Sequence, residues 1–163
     1  MMEIDPSLKA WLDALAASTD ELATTTLGFE GCQVEELLPQ IPYPPPTAGA
    51  YLAMVGNEQT LQLAIVSDMQ GCRLLSGALL GMVGDEDGLG ETDIADAMGE
   101  IINIVAGGVK TRMAGSDKGF KLGLPMFIDG HVEPVKETEQ AAQRVTLGSI
   151  RAYLLTLRQK RTV

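Results

Sequence analysis

The chain has 163 residues, with 22 acidic and 12 basic side chains and a net charge of −10. Hydrophobic residues make up 45% and charged residues 21%, the balance of an ordinary globular domain large enough to bury its core without disulfides or structural metals. The acidity excludes nucleic acid and anionic membrane surfaces as partners, and a single histidine and two cysteines far apart in sequence exclude zinc ribbons, CxxC redox motifs and HExxH peptidases.

Pro6 is placed to open a helix, and Leu8, Trp11, Leu12, Leu15, Leu22 and Leu27 recur at helical spacing, predicting a first helix over about 6–27 that stops at Gly28. A short strand is expected at Cys32–Leu38. The Pro-rich stretch 39–46 must be extended and reads as a stiff connection on a sheet edge, able to blunt that edge. Two strands follow at Ala50–Val55 and Leu61–Ser67, joined by a turn at Gly56-Asn57-Glu58-Gln59. A helical stretch over about 68–82 comes next. The acids of the loop Gly84–Gly90 lack the regular alternation of a calcium loop and read as a solvated approach to another helix. That helix is expected over about 92–113, capped by Thr92 with Asp93 and Asp96 near its N-terminal dipole. Short extended runs at Phe120–Leu124 and Met126–Ile128 flank Pro125. Asp129-Gly130 is a turn signal, and about 132–157 reads as two or three strands. The basic cluster Arg158, Lys160 and Arg161 falls in a tail, 158–163, that reads as solvated.

Clustered strands rather than βαβ alternation point to an α+β fold. The chain reads as a single domain over 1–163, with a mostly antiparallel sheet and two long helices, about 6–27 and 92–113, on one face. The acidic N-terminus lacks a signal pattern, and no apolar run is long enough for a membrane helix, so a cytoplasmic protein is expected.

The helix over 92–113 carries the most informative pattern. At about 100° per residue, Asp96, Glu100, Asn103, Gly107 and Lys110 share one stripe roughly 80° wide, while Met98, Ile101, Ile102, Val105 and Val109 occupy the opposite arc. A mid-helix glycine costs roughly 1 kcal/mol relative to alanine. Its benefit on the outer stripe is geometric, because it lets another surface approach the helix backbone. The stripe therefore reads as a face built to meet a partner.

These residues resemble the CheC/CheX/FliY family of chemotaxis phosphatases. Asp96-x3-Glu100-x2-Asn103, followed after 21 residues by Pro125, matches the family signature. The wording Gly99-Glu100-Ile101-Ile102-Asn103-Ile104-Val105-Ala106-Gly107, and Leu124-Pro125-Met126-Phe127-Ile128 followed by Gly130 and His131, looks like the CheX branch. The first helix echoes the motif as Glu21-x2-Thr24-x3-Gly28. The resemblance implies two pseudo-repeat helices on one sheet, the CheC-like fold. With Thr24 in place of the amide, it implies one working site.

The resemblance further implies a hydrolase acting on the phosphoaspartate of a CheY-like receiver, with Mg²⁺ and a lysine supplied by the receiver and no metal or cofactor held by this chain. Asn103 and Glu100 are the expected catalytic residues: the amide orients the attacking water and the carboxylate pairs with the receiver lysine. Asp96, Gly107 and Lys110 are expected to contact the partner, Pro125 to shape a strand or turn behind the site without a catalytic role, and His131 to be structural or exposed. A homodimer is compatible with the CheX branch. The alternative is a non-catalytic receiver-binding or scaffold protein of the same fold; a small-ligand sensor has no motif behind it.

Overall fold

A computed structural model describes residues 3–116 and 119–160, Lys160 by its backbone alone. Helix α1, Pro6–Leu22, starts where its proline predicts. Asp5 caps it, its Oδ1 accepting hydrogen bonds from the Ser7 N–H at 2.8 Å and the Leu8 N–H at 3.4 Å. The apolar spacing continues to Leu27, but the last turn, Ala23–Leu27, widens to π geometry before Gly28 ends it in the left-handed conformation. Three consecutive threonines, Thr24, Thr25 and Thr26, occupy this turn, and the hydroxyls of the first two bond back to helix carbonyls. Such bonds compete with the regular ladder.

Strand β1, Gln33–Leu38, leads into the Pro-rich connection and then to the hairpin of β2, Ala48–Val55, and β3, Gln59–Ser67, closed by the Gly56 N–H on the Gln59 carbonyl at 2.9 Å. Helix α2, Met69–Leu80, is capped by Asp68 and ends at Gly81. Helix α3 spans Glu91–Arg112. Its cap is Gly90 rather than Thr92: the helix begins one residue earlier than expected, and Asp93 Oδ2 reaches back to accept from the Gly90 N–H at 3.0 Å. Thr92 is exposed in the first turn. The remaining strands are β4, Lys121–Leu122, β5, Met126–Asp129, β6, Glu139–Leu147, and β7, Ile150–Lys160. The ambiguous stretch after Val132 thus resolves into two long strands joined at Gly148, whose positive φ suits the tight turn.

Among the described residues seven strands form one antiparallel sheet in the order β1-β6-β7-β3-β2, with β4 and β5 both pairing the outer edge of β2. Three α-helices among the described residues pack on one face. Leu8, Leu12 and Leu15 of α1, Leu75 of α2, and Ile94, Met98, Ile101, Ile102, Val105 and Val109 of α3 join Leu52, Met54, Leu61, Leu63, Ile65 and Leu154 of the sheet in one core. Each fully buried side chain of this size contributes about 1.5–3 kcal/mol, so α3 is fixed by its inner arc and its outer stripe is free for other use. Helix α2, the shorter helix expected over about 68–82, packs beside the two long ones.

The opposite face of the sheet carries a smaller core of Tyr51, Ala64, Val66, Ala142 and Leu155, covered in part by Leu38, Ile41 and Val132. The Pro-rich connection therefore lies over this face, with the Ile41 N–H donating to Gln140 Oε1 at 3.1 Å, rather than along a sheet edge.

The basic cluster also departs from the expected solvated tail. Strand β7 runs longer than expected and carries Arg158 on the helix side of the sheet, where it is only 3% exposed. Its guanidinium meets Glu139 at 2.8 Å and Asp5 at 3.3 Å and donates to Ser7 Oγ at 2.6 Å, joining the sheet to the start of α1. Arg161–Val163 lie outside the described residues.

Candidate active site on helix α3

The predicted stripe is real. Asp96, Glu100, Asn103 and Lys110 are all exposed along α3, opposite the buried arc. Asp96, Gly99, Glu100 and Asn103 line one side of a shallow cleft of about 220 Å³, and Pro125 and Phe127 form the other wall. Asp96 and Asn103 stand about 10 Å apart along the axis at 1.5 Å per residue. The motif thus presents a carboxylate, a second carboxylate and an amide in a row beside an apolar wall. Gly107 and Lys110 continue the row beyond the cleft.

The two glycines of the Gly107-Gly108 pair serve different purposes. A Cβ placed on Gly107 would meet nothing within 4 Å, so the outer face is open there. Gly108 faces inward, and its Cβ would overlap Ser18 Oγ and lie 3.2 Å from Ser18 Cβ. That absence of a side chain lets α1 and α3 touch, with Ser18 Oγ donating to the Val105 carbonyl at 2.8 Å. The sequence reading singled out Gly107 and missed Gly108; helical phase, which puts residue 108 about 100° from residue 107, held the signal.

Pro125 is closer to the site than expected. It sits in the edge strand between β4 and β5, but beside the site rather than behind it: the proline ring lines the cleft, with Cβ and Cγ at 3.6 and 3.7 Å from where a Gly99 Cβ would stand. Phe127, which the sequence reading did not select, completes the wall; its place two residues after Pro125 in the next strand is what brings it there.

The echo in α1 differs chemically. Glu21 is engaged by Arg112 of α3 at 2.7 Å, and the Thr24 hydroxyl bonds to the carbonyls of Asp20 and Glu21 at 3.2 and 3.1 Å. Both groups that could form a second site are occupied within the fold. His131 is partly exposed and meets Glu133 at 3.5 Å. Cys32 and Cys72 are free and buried, and burial pushes both thiols up to about 12. Among the described residues, no group of three or more His, Cys, Asp or Glu could hold a metal ion, and no helix is long and apolar enough to cross a membrane.

Comparison with known proteins now decides the family. Residues 50–147 match the family model described as chemotaxis phosphatase CheX. The chain belongs to the CheX family. The matched segment contains the whole of α3 and the Pro125 wall. CheX from Vibrio vulnificus shares the fold at a TM-score of 0.75 with 19% identity, over 91% of this chain and 99% of that one. The CheX–CheY–BeF3–Mg²⁺ complex from Borrelia burgdorferi aligns at a TM-score of 0.71 with 17% identity, over 98% of this chain and 100% of its counterpart. The FliM middle domain from H. pylori shares the fold at 0.66 and 12% identity, over 94% and 92% of the two chains. No curated protein matches this chain.

Proposed function

We propose that this CheX-family protein accelerates hydrolysis of the aspartyl phosphate on a CheY-like receiver, with Asn103 positioning the attacking water. The observation that carries this reading is the exposed row of Glu100 and Asn103 on a helix whose inner arc is locked in the core. The Borrelia relative seen with CheY supports a receiver as the partner.

The chemistry asks little of the chain. An aspartyl phosphate is an activated acyl phosphate, and the transferring phosphoryl group needs positioning and charge stabilisation more than covalent help. The amide of Asn103 has an acceptor oxygen for a water proton and an NH₂ that can donate to a phosphoryl oxygen. Mg²⁺ and the lysine belong to the receiver in this reading. Glu100, one helical turn from Asn103, is placed to pair with that lysine and fix the depth to which the amide enters. A paired charge of this kind sets register and encounter rate more than net affinity. Asp96 adds a second negative charge on the approach, Gly107 leaves the helix backbone open to the receiver, and Lys110 offers a cation to an acidic patch of the partner.

Two substitutions test the assignment. Asn103→Ala is expected to leave receiver binding intact and remove the acceleration of phosphate loss; Glu100→Ala is expected to raise the protein concentration needed for half-maximal effect. Equal rates of loss with wild type and Asn103→Ala overturn the proposal. The same exposed row also fits a second reading, a receiver-binding or scaffold protein of this fold without catalysis, because exposure on α3 serves docking as well as chemistry. Under that reading the wild type binds the phosphorylated receiver and leaves its phosphate lifetime unchanged.

A further inference from the structure

The outer edge of β2 is paired by one interrupted strand. Val55 and Met54 of β2 face Lys121 and Leu122, and Tyr51 and Ala50 face Met126 and Phe127. Two β2 residues, Leu52 and Ala53, therefore stand opposite three: Gly123, Leu124 and Pro125. This is a bulge, held at its start by the Gly123 N–H on the Ala53 carbonyl at 2.7 Å. The extra residue changes the phase of the strand. Leu122 and Phe127 both pack on the helix-side core although they are five positions apart, an odd offset, and Ile128 turns to the opposite face.

The bulge has two effects beside the site. It seats Pro125 against Gly99, and it pushes Leu124 out of the sheet, leaving that side chain 89% exposed. On the other side of the Glu100–Asn103 row stands Ile104, 41% exposed. Taking Asp96 as zero, Gly99 and its Pro125 wall lie at about −60° and Ile104 at about +80°. The polar row is thus flanked by exposed Ile104 on one side and by the Pro125 wall on the other, with exposed Leu124 next to Pro125 in the bulge.

We infer that Leu124 and Ile104 are docking residues that seat the phosphorylated receiver on either side of Asn103 and take part in its choice without touching the reacting atoms. The inference rests on the phosphatase reading, and it deepens that reading by naming apolar contacts on the receiver surface around its phosphorylation site. The occupant follows from continuity with the site: a receiver whose lysine meets Glu100 and whose phosphate meets Asn103 must cover the helix on both sides of them. Apolar contacts beside a charged pair also keep water from it, which strengthens the pair by lowering the local dielectric. Bulges commonly re-aim a side chain next to a functional site.

The test measures binding of purified CheY-like receivers from the same organism, loaded with beryllofluoride and Mg²⁺, to wild type, Leu124→Asp, Ile104→Asp and Asn103→Ala, together with the steady-state rate for each. Both positions are exposed, so folding is checked by unchanged thermal melting. The expected result is about a tenfold or greater loss of receiver affinity and a matching rise in KM for each aspartate variant, the size expected when an aliphatic contact is lost, with kcat within twofold of wild type. Asn103→Ala should bind normally and lose kcat. Unchanged affinity and KM in Leu124→Asp and Ile104→Asp overturn the inference while leaving the phosphatase reading standing. A change in oligomeric state with receiver binding unaltered also overturns it, assigning the patch to a second copy. Absence of receiver binding by the wild type removes the phosphatase reading and the inference together.

Discussion

Adjacent glycines on α3 should respond to the same substitution with opposite signs. Gly107 faces open space, so Gly107→Ala adds helix propensity with no steric cost and should stabilise the fold by about 0.5–1 kcal/mol. Gly108 abuts Ser18. Gly108→Ala gains the same propensity, but its methyl would overlap Ser18 Oγ and crowd Ser18 Cβ at 3.2 Å, with Arg112 Nη1 at 3.1 Å. The serine must swing away and surrender its 2.8 Å bond to the Val105 carbonyl, or α1 and α3 must separate. Overpacking of a close helix contact costs about 1–3 kcal/mol and a lost hydrogen bond about 0.5–1.5 kcal/mol. The net expectation is a destabilisation of about 2 kcal/mol, which lowers Tm by about 4–8 °C in a domain of this size, against a rise of a few degrees for Gly107→Ala. Thermal and urea melts of the two variants measure this directly. Ser18→Ala combined with Gly108→Ala removes the overlapping oxygen, so the double variant should recover part of the loss and show a coupling of about 1 kcal/mol. Melting points that move in the same direction for both glycine variants, or a double variant that is merely additive, refute the assignment of Gly108 to helix packing.

Three further outcomes follow from the geometry. The Ser7 hydroxyl and N–H, with the Leu8 N–H and Arg158, hold the Asp5 carboxyl well below the usual carboxylate range. Its stabilising contribution is present above the unfolded pKa, about 3.9, and is lost as pH falls through the lower folded value. Asp5→Asn should therefore destabilise the protein near neutral pH and narrow its gap to wild type in melts taken towards pH 2. Cys32 and Cys72, pushed up to about 12 mainly by burial, should hold about one thiolate in ten thousand at pH 8 and resist iodoacetamide in the native state while reacting fully in urea, as read by mass spectrometry. Gly99→Ala should be tolerated, since its Cβ would make ordinary contact with Pro125, whereas Gly99→Val overpacks that buried contact, so it should displace the proline, lower Tm by a few degrees and, under the proposed function, lower phosphatase activity by tenfold or more, the scale of a misplaced positioning group.

Periodicity located α1, α2, α3 and the β2–β3 hairpin because their apolar faces are regular and their ends carry proline, glycine or acid caps. It located Glu100 and Asn103 on the outer stripe for the same reason, since a helix whose inner arc is Met98, Ile101, Ile102, Val105 and Val109 has one orientation on the sheet. What escaped was set by tertiary contact. Arg158 looked like the start of a charged tail, and only the return of β7 beneath the α1 cap places it between Asp5 and Glu139. The Pro125 wall depends on a bulge in an edge strand, which a period of two cannot reveal because the extra residue breaks that period. Phe127 acts through a neighbour distant in sequence, and while helical phase marks Gly108 as inward, nothing in the sequence names Ser18 as the residue it meets. The echo in α1 was legible as spacing, but the Glu21–Arg112 pair that occupies its carboxylate was not.

In the proposed function an uncharged amide on α3 turns over a partner's phosphate. The most direct measurement is the lifetime of the phosphoryl group on a purified CheY-like receiver, alone and with increasing wild-type protein or Asn103→Ala. A lifetime that shortens catalytically with wild type, at less than one protein per receiver, and stays at the receiver's own value with Asn103→Ala is the predicted result. A lifetime indifferent to the wild-type protein, or shortened equally by Asn103→Ala, contradicts the account.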